Sequence, residues 1–228
     1  MRISVRAYVY EGEGLSVTIA VLDSEVEWDA ECNGDEPGYY HFVAFLSRLL
    51  PALATKRNIY ACFTERGYTR RIGRRLRGLG LSYVRFPTSE PEILVDYLLR
   101  RVRRSHKGYG SGVLINPRGE EQIRRTFNLA MRGNERLFFH IGDVTAPDEL
   151  REYEPFYVRD RRRGVWDARV LEKAFCVVYQ EIGLAYAEIM SPSLKPSQVL
   201  STVQRVGAEH HECEFSVDSS PVLVSSPK

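Results

Sequence analysis

The chain has 228 residues, 43% hydrophobic and 27% charged, with a formal net charge of +2. These values are ordinary for a globular protein and exclude a low-complexity or fibrous chain. No apolar stretch approaches the roughly 20 residues of a membrane-spanning helix, and the N-terminus lacks the apolar centre of a signal peptide.

The four cysteines (Cys32, Cys62, Cys176 and Cys213) show no CxxC spacing. A soluble cytoplasmic protein with free thiols and no structural zinc is therefore expected. The charge is unevenly distributed. Residues 1–50 hold 3 basic and 9 acidic side chains, whereas residues 51–107 hold 14 basic and 4 acidic. Only five of the 32 basic residues are lysine. The planar fork of arginine suits bidentate contact with phosphate or carboxylate; genomic base composition is the alternative cause.

Residues 2–10 and 15–22 alternate as strands, and 25–31 reads as a third, giving an antiparallel meander with turns at 11–14 and 23–24. Residues 40–50 form an amphipathic helix with Phe42, Phe45, Leu46, Leu49, Leu50 and Leu53 on its inner side, ended or kinked by Pro51. Strands at 58–63, 81–86, 112–116 and 136–141 then alternate with helices at 66–77, 90–104 and 117–131. That spacing predicts βαβ units and a mixed, mainly parallel sheet flanked by helices. Residues 145–163 read as a polar loop with a short strand at 155–158. Residues 167–190 read as a long helix, 199–206 and 209–217 as a hairpin, and 219–228 as a disordered tail. The expected organisation is an α/β domain over 1–143, a linker over 144–165, a C-terminal helix–hairpin unit over 166–218, and the tail.

In the helix over 66–77, Tyr68, Ile72, Leu76 and Leu79 make one apolar stripe, and Arg70, Arg71, Arg74 and Arg75 lie off it. In the helix over 90–104, Leu94, Leu98 and Val102 point inward, while Arg100, Arg103 and Arg104 line the outer side. Were the two helices neighbours, these arginines would merge into a surface that grips DNA or RNA phosphates without reading sequence. A solvated face neutralised by the acidic N-terminal region, or by a partner subunit in a homo-oligomer, is the alternative.

The ends of the parallel strands carry Thr64, Glu65, Thr88, Ser89, Glu90, Asn116, His140 and Asp143. Carboxylates gathered there could hold Mg²⁺ or Mn²⁺ for phosphodiester hydrolysis, with Glu11, Glu65 and Asp143 as the catalytic set. Cap and turn chemistry explains the same residue types. The run His210-His211-Glu212-Cys213-Glu214 alternates across a strand, so His210, Glu212 and Glu214 share one face. No further ligand in the sequence completes a metal shell.

Three strands, a helix, then strand–helix–strand is also an element order that resembles bacterial- or archaeal-type ribonuclease H, over residues 6–75. VYEGEG stands at the first strand's acidic motif, DSEVEWDAE at the second hairpin, PGYYHFVAFLSRLLPAL at the first helix, and IYACFTERGYTRRI at the fourth strand and its helix. The resemblance implies a ribonuclease H-like fold and two-metal chemistry. Glu11 takes the first acidic position. His41-Phe42 stands where that family has a helical glutamate, and Thr64 or Glu65 follows the fourth strand. With so few carboxylates matched, the resemblance implies a degenerate, nuclease-like relative that binds nucleic acid. QRVGAEHHECEFSV resembles the end of the 4-vinyl-reductase-type ligand-binding domain, which gives the alternative expectation of a small-molecule sensor; a structural or oligomeric protein without catalysis is the third.

Overall fold

The computed structural model describes residues 2–12, 15–24, 37–65, 76–81, 83–87, 111–130, 136–145, 174–181, 185–209, 214–218 and 223–225. Its elements fall into three strand–strand–helix–strand units. The first is β1 (Arg2–Gly12), β2 (Leu15–Ser24), α1 (Pro37–Ala54) and β3 (Asn58–Glu65). The second is β4 (Tyr83–Pro87), β5 (Ser111–Ile115), α2 (Gly119–Ala130) and β6 (Arg136–Gly142). The third is β7 (Cys176–Glu181), β8 (Tyr186–Ser191), α3 (Pro196–Ala208) and β9 (Glu214–Asp218), followed by β10 (Leu223–Ser225).

The strands make one ten-stranded sheet in the order β10-β1-β2-β8-β7-β6-β3-β5-β4, with β9 also on the outer edge of β1. Among the described residues, every neighbouring pair is antiparallel except β1–β9 and β1–β10. The expectation of a mainly parallel sheet is thus overturned. The error has a definite origin. Each helix does connect two strands that run the same way, as a βαβ crossover should. In every unit, however, at least one oppositely directed strand lies between those two: β3 between β5 and β6, the pair β1 and β2 between β8 and β9. Spacing along the chain encodes the crossover and not the strand that fills it.

Among the described residues, helices α1, α2 and α3 lie on one face, with α1 packed against α2 on one side and α3 on the other. The core between the layers holds Phe42, Phe45, Leu46, Leu49, Leu50 and Leu53 of α1, the side expected from the sequence. From the sheet it takes alternate residues: Ile3, Val5 and Ala7, then Leu137, Phe139 and Ile141, and Ala187 and Ile189. That period of two is what a pleated strand imposes.

Three further expectations are corrected. Helix α1 runs one turn beyond Pro51 to Ala54. Proline removes one ladder donor, but the buried leucines on both sides hold the last turn against the sheet. Of the expected helix over 167–190, residues 176–181 and 186–190 belong to strands β7 and β8, and 167–173 and 182–184 lie outside the described residues. Cys176 and Val178 face the helices while Val177 and Tyr179 face away, and all four are buried. A strand buried on both faces shows no polar alternation, so chance apolar spacings there imitate a helix. Conversely, 196–208 is helix α3 instead of the first strand of a hairpin. Val199, Val203 and Val206 form one buried stripe at helical spacing, and that stripe outweighs the strand preference of valine. The expected second strand survives in part as β9, and the expected tail contributes β10, paired with Val9–Glu11.

The expected strands at 25–31 and 155–158, residues 66–75 of the expected helix over 66–77, the helix over 90–104, and residues 146–165 of the expected linker lie outside the described residues.

Candidate functional site

The three carboxylates of the proposed catalytic set are not brought together. Glu11 is exposed near the end of β1, opposite Ser16 on β2 and Ser225 on β10. Glu65 ends β3, opposite Ser111. Asp143 follows Gly142, the partner of Asn58 at the other end of β3. Eight residue steps along the strand separate the levels of Asp143 and Glu65, about 27 Å at the usual rise. Glu11 is four strands from β6, about 19 Å at the usual spacing. A two-metal site needs its ions about 4 Å apart. Asp143 instead lies 3.5 Å from Arg57 Nε. Among the described residues, no group of three or more His, Cys, Asp or Glu could hold a metal ion. His210–Cys213 lie outside those residues, and Glu214 begins β9 beside Arg2.

Arg70, Arg71, Arg74, Arg75, Arg100, Arg103 and Arg104 also lie outside the described residues. What the sheet fixes is where their two segments are rooted. Ser111 of β5 is the register partner of Glu65 on β3 and of Pro87 on β4. Residues 66–75 follow Glu65, and residues 88–110 lie between Pro87 and Ser111 in the chain. Both Arg-rich segments therefore start from a single row, two strand spacings or about 10 Å wide, at the β4 end of the sheet.

The first segment re-enters the described structure through a firmly anchored turn. Residues 76–78 are helical, and Leu81 N–H donates to Leu76 C=O (2.9 Å) while Gly80 N–H donates to Arg77 C=O (3.0 Å). With Gly80 at φ +69° this is a Schellman cap. Its apolar pair, Leu76 and Leu81, is buried in the core. Arg125 of α2 donates to Leu79 C=O at 3.5 Å. Glu121 holds that arginine at 2.8 Å and also bonds Arg124. These partners, Arg125 foremost, draw the Glu121 carboxyl below its ordinary value of 4.5.

A second set of residues escaped the sequence reading. On the face turned away from the helices, Tyr60 pairs across to His140, and Phe138 to Tyr179 and on to Glu188. Tyr60 is 1% exposed, His140 3% and Glu188 7%. The Tyr186 hydroxyl donates to Glu188 Oε1, and the Phe138 and Tyr179 rings lie 5.1 Å apart. The sequence places His140 at the rim of the sheet, whereas in the structure it sits inside β6. The signal that could have found this array is the run Leu137–Ile141, apolar at one parity and aromatic and imidazole at the other. Cys176, on the helix side of the same strands, is fully buried, which pushes its thiol far up and leaves it an inert core residue.

No protein-family model, curated protein or solved structure matches this chain. Among the described residues, no helix is long and apolar enough to cross a membrane.

Proposed function

We propose that this chain binds the phosphate backbone of DNA or RNA through the arginines of residues 66–75 and 88–110. The observation that carries the reading is the shared row Glu65–Ser111–Pro87, from which both segments start. Two arginine-bearing segments rooted about 10 Å apart can engage one polyanion together. Of the nine acidic residues among the first fifty, Glu11 lies on β1 and Asp23 on β2, and β2 is five strands from β5, about 24 Å. That exceeds the ~8 Å screening length at physiological salt, which supports a basic region not cancelled by those two strands. Arginine forks would bond phosphate oxygens and release condensed counterions. The separation of Glu11, Glu65 and Asp143 favours binding over hydrolysis by that set.

The test is the affinity for DNA and RNA oligonucleotides across a range of salt concentrations. The expected result is a steep loss of affinity with salt, and a slope reduced by about 3 in the triple variant Arg71→Ala/Arg75→Ala/Arg103→Ala, near 0.9 per lost phosphate contact on duplex DNA. Absent or salt-independent binding, or an unchanged slope in the triple variant, overturns the reading. Unfolding midpoints of both proteins show whether the fold is retained.

A further inference from the structure

We draw no further inference here: the strongest candidate, the buried array of Tyr60, His140, Tyr179 and Glu188 on the sheet face turned away from the helices, carries nothing because no described residue shows what covers it.

Discussion

The guanidinium carbon of Arg57 lies 3.7 Å from the centroid of the Phe175 ring. Arg57 precedes β3 and Phe175 precedes β7, so the contact ties together strands on either side of β6. Asp143, 86% exposed, adds a water-screened ion pair to the same arginine, which is itself 31% exposed. We expect Arg57→Ala to cost about 1–2 kcal/mol, mostly from the cation–π contact, with the ion pair supplying under ~1 kcal/mol. Arg57→Lys should recover only part of that, because an ammonium cannot stack flat on a ring. Urea midpoints of the two variants and of Phe175→Leu measure this; an unshifted midpoint in Arg57→Ala refutes it.

Two positions with left-handed backbone carry opposite residues. Thr55, just past α1, has φ +57°, and Gly80 has φ +69°. A side chain at such a φ costs roughly 1–2 kcal/mol, while added glycine freedom in the unfolded chain returns roughly 0.4–1 kcal/mol. Thr55→Gly should therefore stabilise the protein by about 0.5–1 kcal/mol. Gly80→Ala should destabilise it by a similar amount or more, through the backbone alone, since nothing lies within 4 Å of the added carbon. Thermal unfolding of the pair decides the matter, and shifts of the same sign contradict it.

Ser191 closes the turn from β8 into α3. Its buried hydroxyl donates to Phe175 C=O and accepts from the N–H groups of Ser193 (3.2 Å) and Leu194 (3.0 Å). Ser191→Ala leaves those groups without their partner and should cost about 1–3 kcal/mol. Hydrogen exchange at Ser193 and Leu194 should accelerate, whereas amides in β3 should be affected only through global unfolding. Unchanged exchange at both amides would sink the assignment.

Glu121 gives a pH signature. Its folded carboxyl is drawn below the ordinary value of 4.5 by Arg125 and Arg124. A depressed carboxyl stabilises the fold above its unfolded pKa, and that contribution disappears as pH falls through the folded pKa. Stability curves of the wild type and Glu121→Gln should differ by a constant amount at neutral pH and converge below pH 4.5. A gap that persists or widens in acid is the contrary result.

Local pattern revealed local structure. The apolar stripe of α1 and strands β1, β2, β3, β5 and β6 all follow from periods of 3.6 or 2 within short windows. Partner choice did not follow, because β2 pairs with β8 across more than 160 residues and no window contains both. The row Glu65–Ser111–Pro87 was hidden for the same reason: it exists only because β5 lies between β3 and β4. Tyr60 and His140 were hidden differently, since burial on both faces of β3 and β6 erases the polar parity that marks a site.

The order of the strands sets a timetable for the nascent chain. Strands β3, β4, β5 and β6 are mutual neighbours and leave the ribosome together. The β1–β2 hairpin leaves first, yet its neighbours β8 and β9 are still unmade. At ~5–20 residues per second, the 160 residues separating β2 from β8 keep that hairpin's edges open for roughly 10–30 s. The two halves of the sheet are joined only when β7 and β8 arrive between them. Release of the chain before that point yields two incomplete sheets, each with a bare edge of the kind that recruits other chains.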